Sequence, residues 1–343
     1  MRRRDFLGVT AAAAPPAQRR AGAKFGIDLF SIRSSGWSPF EYLDYCARWK
    51  ADVVHFSEVR FLGSLDEAHV KKVGEHARRL GIELEIGMAS ICPSSKRFRA
   101  EDGPAEEQLA RVIAAARAAG SPIVRAYVGS MEDRKGPVPI EGHIENTVRV
   151  LRAVRTRAQD SGVRIAVENH AGDMQARELK SLIEGAGKDF AGACIDSGNP
   201  LWTIEDPHLT LETLAPYALT SHIRDSAVWR TESGAAVRWV RTGEGNVGID
   251  EWIRNYVKLC PGKAVTMEVI VTGPREFGYL KPEFWDGYRN VPAWEFSRFL
   301  ALVEKGKPLE GPAPAPPEER AQREREDLEV SIRHTREVLG GLA

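Results

Sequence analysis

Eight short apolar segments, each closed by turn residues and most of them separated by an amphipathic stretch of helix length, constrain this chain more than any other feature. They run over 24–32, 53–58, 83–88, 123–129, 164–170, 191–196, 219–225 and 264–270. Helix-like stretches over 38–50, 66–80, 105–119, 140–161, 176–186, 208–216 and 249–258 fill the gaps, and 293–305 follows the eighth segment. Such alternation predicts parallel strands joined by helical crossovers. Eight units in roughly 280 residues is the usual size of a (β/α)8 barrel. The rival, an open doubly wound sheet, carries a glycine-rich phosphate turn after an early strand. Here Gly243-Glu244-Gly245 comes after the seventh segment and lacks that context. The expected architecture is α/β, a (β/α)8 TIM barrel over 24–307 with a C-terminal helical extension.

Both ends differ in character from the barrel. The first twenty residues carry five arginines and one acid. Arg3-Arg4-x-Phe6-Leu7 resembles a twin-arginine export signal, and Ala21-Gly22-Ala23 offers a small-x-small cleavage site. Residues 1–23 are therefore expected to direct export to the periplasm. Pro15-Pro16 and Arg19-Arg20 break the apolar stretch, so the alternative is a basic N-terminus on a cytoplasmic protein. At the other end, 308–317 is proline-rich and reads as a linker. Residues 318–343 read as a charged helix. Its Leu328, Ile332, Thr335, Leu339 and Leu342 recur at steps of four and three. That narrow stripe is expected to pack on the barrel or on a second copy of the chain, which leaves a homo-oligomer open.

Composition closes several routes. Forty-eight basic and 48 acidic residues leave no net charge. A neutral chain has no global electrostatic case for nucleic acid or for an anionic membrane. No apolar run approaches the ~20 residues of a membrane-spanning helix. Cys46, Cys92, Cys194 and Cys260 lie far apart, with no C-x-x-C pair. Neither a disulfide framework nor a thiolate zinc site is expected.

The later segments place chemistry at their ends. Side chains alternate along a strand. In the fifth, Ile165 and Val167 oppose Ala166, Glu168 and His170. In the seventh, Thr220, His222 and Arg224 share a face. In the eighth, Val265, Met267 and Val269 oppose Thr266 and Glu268. The parity of 53–58 can be read either way. Glu168, Asp196, His222 and Glu268 thus close four successive strands, and barrel strands converge on one mouth at their C-terminal ends. A lone carboxylate at a strand end is usually a cap, and a lone buried histidine is usually structural. Three carboxylates and one imidazole together are a ligand set for a divalent ion: Mn²⁺, Mg²⁺ or Co²⁺ first, with Zn²⁺ possible. Without a cation, carboxylates facing one another repel.

The motifs Val167-Glu168-Asn169-His170, Asp196-Ser197-Gly198-Asn199, His222-Ile223-Arg224-Asp225, Gly243-Glu244-Gly245 and Glu268 resemble those of the xylose isomerase-like superfamily of sugar isomerases and epimerases. The resemblance covers about 24–305. Family members usually have lysine at the position of Arg224. The ketose epimerase branch often has histidine where this chain has Asn199. The resemblance implies a carbohydrate substrate and proton transfer at a carbon next to a carbonyl. Glu168 and Glu268 would be the acid/base pair and also ligands, with Asp196 and His222 holding the metal. His170, Asn199 and Arg224 are expected to contact substrate; Arg125 and Glu58 are further candidates for the mouth but are not placed in the expected site. The same site would serve a dehydratase or lyase on oxidised sugars or glycosides. A non-catalytic sugar-binding barrel is the other alternative. The aromatic segment 273–292, after Glu268, is expected to cover the mouth.

Overall fold

The computed structural model describes residues 23–313 and 315–342. The expected export segment, apart from Ala23, lies outside the described residues. In chain order the strands are β1 (Phe25–Asp28), β2 (Val53–Phe56), β3 (Glu83–Ser90), β4 (Ile123–Tyr127), β5 (Arg164–Glu168), β6 (Ala191–Asp196), β7 (Ala218–His222), β8 (Asp225–Arg230), β9 (Ala235–Val240), β10 (Val265–Met267) and β11 (Arg275–Phe277). Eight of them pair in parallel in the order β10-β1-β2-β3-β4-β5-β6-β7. The barrel closes just past the end of β7. There the Ile223 amide donates to Thr266 O (2.8 Å), and the Glu268 amide donates to Ile223 O (3.1 Å). This is the expected TIM barrel.

The helices are α1 (Pro39–Arg48), α2 (Val59–Leu62), α3 (Glu67–Leu80), α4 (Ala105–Ala119), α5 (Ile140–Ser161), α6 (Ala176–Ala186), α7 (Pro207–Leu214), α8 (Ile249–Leu259), α9 (Ala293–Val303) and α10 (Pro317–Gly340). Local chemistry sets their ends. Ser38 and Glu41 form a reciprocal capping box at the start of α1, with Pro39 at its first helical position. At the other end of α5, Gly162 sits at φ +66°, where only glycine avoids a Cβ penalty, and the helix stops. Outward strand residues such as Ile27, Val54, Ile86, Val124, Ile165, Ile195 and Met267 bury themselves against the helices. Inside, Ile123, Ala166, Cys194 and Leu219 plug the base of the barrel. All four cysteines are free and buried.

Two parts of the chain depart from the expected plan. β8 and β9, inserted between β7 and α8, and β11, which follows β10, form a separate antiparallel sheet. The segment 273–292 is therefore not a plain loop. It supplies β11 and a 3-10 turn over Pro282–Gly287. With α9 it builds a second apolar core, including Leu201, Val228, Val237, Phe277, Tyr288 and Phe299. This is also the correction for 293–305. α9 packs on the small sheet through Phe299 and Val303 instead of completing the helical ring. The place beside β10 and the first turn after β1 goes to α10, whose Leu328, Ile332 and Val338 are buried in the main core. Glu324 accepts from the Ser34 amide and hydroxyl (both 2.8 Å), and Thr335 lies against Met267. Aromatic β-formers in 225–240 and 275–277 find partners only in three dimensions, which explains why a linear reading assigns them to loops.

One buried carboxylate anchors the loop after β6. Glu205 accepts from the Ala176 amide (3.1 Å) at the start of α6 and from the Thr210 hydroxyl (2.6 Å). Burial pushes its pKa up from 4.5 to about 8, against the pull of those hydrogen bonds. The folded chain therefore binds a proton that the unfolded chain releases between these values. Stability falls as pH rises through that window. Glu205→Gln should lose less stability than the wild type between pH 5 and pH 8.5 in urea unfolding. Equal losses would show that Glu205 does not titrate in this range.

Candidate metal and active site

The C-terminal ends of β5, β6, β7 and β10 bring Glu168, Asp196, His222 and Glu268 into one buried cluster. One donor atom from each lies within 4.8 Å of all the others. Glu168, Asp196 and His222 are fully buried and Glu268 is 4 % exposed. His222 Nδ1 lies 2.9 Å from Glu268 Oε2 and 3.1 Å from Glu168 Oε2. Neither approach has hydrogen-bond geometry, and both His222 Nδ1 and Asp196 Oδ2 are buried without a hydrogen-bond partner. Buried polar atoms are normally satisfied. Orphaned donor atoms that converge with carboxylate oxygens fit a common cation.

The charge balance points the same way. Four deeply buried carboxylates (Asp28, Glu168, Asp196, Glu268) face two buried guanidiniums, Arg125 and Arg224. Arg125 binds Glu168 through Nε and Nη2. Arg224 places Nε 2.9 Å from Asp196 Oδ2 and Nη2 on Glu268. Burial raises the Glu168 carboxyl, but Arg125 and His222 overcome it and hold the group well below the usual range. Glu268 is likewise raised by burial, then drawn down to about 2 by Arg224 and His222. Asp196 and Asp28 are not rescued in this way. Burial pushes each up to about 7 despite the nearby cations. A divalent ion among Glu168, Asp196, His222 and Glu268 would favour the ionised carboxylates and displace the proton from Asp196.

The other expected site residues take clear places. Asn199 Nδ2 donates to Glu168 Oε1 (3.1 Å) and to Asn169 O (2.9 Å). His170 stacks on Tyr127, with centroids 3.8 Å apart, and its Nδ1 lies 2.8 Å from Gly129 O. Burial lowers its pKa to about 4, Glu168 notwithstanding, which keeps the ring neutral. Arg224 lies over Trp239 (4.4 Å), Trp239 stacks on Trp202 (4.3 Å, 9°), and Arg275 caps Trp202 (4.4 Å). This column ties the small sheet to the Glu168–Asp196–His222–Glu268 cluster. Glu58 does not join the cluster; it pairs with Arg60 at the surface. Asp225 Oδ2 accepts from the Gly243 and Gly245 amides (both 2.9 Å), so the Gly-Glu-Gly motif is a turn folded onto Asp225. A Cβ on Gly245 would stand 2.2 Å from that carboxylate.

Sequence reasoning missed three inward groups on the early strands. Asp28, His55 and Glu85 lie inside the barrel, with Ser57 donating to Asp28 Oδ1 (2.9 Å). The signal was the alternation Val53-x-His55-x-Ser57, which the ambiguous parity of that strand concealed.

The model of the "Xylose isomerase-like TIM barrel" family matches residues 43–275, and the chain belongs to that family. Among curated proteins it is 24% identical over 287 residues to the uncharacterised protein YihM of Escherichia coli K12, covering 81% of this chain and 77% of YihM. It is 24% identical over 190 residues to the 3-oxo-isoapionate decarboxylase of Pectobacterium atrosepticum, covering 55% of this chain and 62% of the relative. Among solved structures, D-psicose 3-epimerase from Clostridium cellulolyticum H10 with D-tagatose aligns with a TM-score of 0.57 at 13% identity, over 82% of this chain and 99% of the epimerase. A xylose isomerase-like TIM barrel protein from Mycobacterium smegmatis in complex with magnesium aligns with a TM-score of 0.56 at 13% identity, over 82% and 98%.

Proposed function

We propose that this protein is a divalent-metal-dependent isomerase or epimerase of a carbohydrate, moving a proton at a carbon next to a carbonyl. The observation that carries this reading is the convergence of Glu168, Asp196, His222 and Glu268, with orphaned donor atoms, in one buried cluster. These four would hold the ion. Three oxygen donors and one nitrogen favour Mn²⁺, Mg²⁺ or Co²⁺ over Zn²⁺; of the similar solved structures, one holds magnesium and another a zinc atom. Bound there, such an ion polarises a carbonyl oxygen and stabilises the charge that develops on it.

The chain's own residues do the remaining work. Glu168 and Glu268, both held ionised by their arginines, take the proton from one carbon and return it. Asn199 orients Glu168 through its hydrogen bond to Oε1. Arg224, already beside Glu268 and Asp196, offers a guanidinium to an anionic substrate oxygen. The Tyr127–His170 stack presents an aromatic face to the C–H surface of a sugar.

A lyase is the second reading, supported by the decarboxylase relative. Loss of carbon dioxide next to a carbonyl leaves the same charge on the enolate and needs a proton delivered to carbon. Loss of water needs a base for the carbon proton and an acid for the departing hydroxyl, and epimerisation needs proton-transfer groups on both faces of the carbon. Proton exchange separates these outcomes. Protein loaded with Mn²⁺ or Mg²⁺ is incubated in D₂O with ketoses, aldoses and 3-oxo sugar acids and followed by NMR. The expected result is one bound ion per chain and metal-dependent deuterium uptake beside the carbonyl. Product mass then distinguishes isomerisation from elimination. Failure to bind any divalent ion would overturn the proposal.

A further inference from the structure

His222 has two ring nitrogens, and only Nδ1 faces Glu168 and Glu268. The other, Nε2, points into the barrel, 2.8 Å from His55 Nδ1. Asp28 Oδ2 lies 3.4 Å from His222 Nε2 and 3.5 Å from His55 Nδ1. All three side chains are fully buried. Asp28 is itself fixed, because its Oδ1 accepts from the Phe30 amide (2.7 Å) and the Ser57 hydroxyl (2.9 Å). Glu85 borders His55 at 3.8 Å and is held by the Thr220 hydroxyl (2.6 Å). A built polar group of Asp28, His55 and Glu85 therefore lies beside the cluster, on strands that contribute none of its four candidate ligands.

We infer that His55 is a positioning residue for His222, accepting the Nε2–H at its Nδ1 so that the His222 Nδ1 lone pair faces Glu168 and Glu268, with the Asp28 carboxylate alongside both rings. This rests on the metal reading above. A ligand nitrogen must present a lone pair, so the proton of a ligating His222 sits on Nε2. His55 must then accept at Nδ1 and carry its own proton on Nε2. Partners of this kind fix the tautomer and orientation of a metal-binding imidazole, and their loss typically costs 10–100-fold in metal affinity. Asp28, His55 and His222 also bring donor atoms within 4.8 Å of one another, so a second ion beside the first is the rival interpretation.

Titration calorimetry with Mn²⁺ on the full chain decides between them. The expected result is one ion in the wild type. His55→Phe should bind it at least ~10-fold more weakly with an unchanged circular dichroism spectrum, and His55→Gln, which keeps an acceptor, should recover part of the loss. Unchanged affinity in His55→Phe overturns the inference. So does a stoichiometry of two that falls to one in that variant, because His55 would then be a ligand. Should His55→Phe not fold, His55→Leu, which also removes the acceptor, provides the same comparison. If the wild type binds no ion, the metal reading fails by itself, and ¹⁵N NMR of the histidine rings decides the inference. His55 protonated on Nε2 alone supports it; a proton on Nδ1 overturns it.

Discussion

Glu268→Gln is expected to reduce turnover by about 10²–10⁴-fold, the usual contribution of a positioned acid or base, while leaving the barrel folded. The substitution keeps size and shape but removes the charge. In the wild type, Glu268 Oε2 bonds Arg224 Nη2 and lies 2.9 Å from His222 Nδ1. A neutral amide loses the attraction to Arg224 and cannot accept a proton from carbon. Deuterium exchange at the substrate carbon should fall in step with turnover, since both need the same base. Exchange at the wild-type rate would remove Glu268 from the proton-transfer role, even if product formation fell. Glu168→Gln is the companion measurement. An epimerase needs both carboxylates for the full reaction. A lyase that retains partial exchange in one variant would identify which carboxylate faces the departing proton.

Arg125→Met should cost about 3–5 kcal/mol of stability, the typical penalty for leaving one member of a buried ion pair alone. Arg125 is 4 % exposed, and its guanidinium meets Glu168 through two nitrogens. Methionine fills much of the volume, so lost packing contributes little. The cost comes from the Glu168 carboxylate, which loses its direct partner and keeps His222 Nδ1 at 3.1 Å and Arg224 Nη2 at 3.8 Å. Urea unfolding of the metal-free protein measures it. The Arg125→Met/Glu168→Gln double variant should recover most of the loss, because no unpaired charge remains. A double variant as unstable as the sum of the two single ones would show that Arg125 acts through packing and not through Glu168.

Much of this was legible in the chain, and what was not has a physical cause. Strand alternation in 164–170, 219–225 and 264–270 was clear because apolar and polar residues strictly alternate there. The barrel and the four converging residues follow from that period. In 53–58 the outward Val54 and Phe56 alternate with inward Val53, His55 and Ser57, and the apolar Val53 hides the polar face. Asp28 was invisible for a related reason. It is the last residue of a strand whose neighbours read as a continuous apolar run. The small sheet escaped because its pairing is non-local: β9 binds β11 across 34 intervening residues. The narrow stripe of α10 was seen, but nothing in its spacing shows that it would lie beside β10 in place of α9.

That substitution of α10 for α9 has a consequence for how the polypeptide acquires its structure during synthesis. The flank of the first strand is sealed by residues nearly 300 positions later: Tyr45 meets Glu329, Ser34 meets Glu324, and Arg336 donates to Trp49 O. Contacts of such long sequence separation form late and slowly. Until residues 317–340 emerge from the ribosome, Ile32, Tyr45 and Phe25 lack their final cover. The growing chain then carries an unfinished apolar seam next to its earliest-made elements, the kind of surface on which nascent chains aggregate and chaperones act.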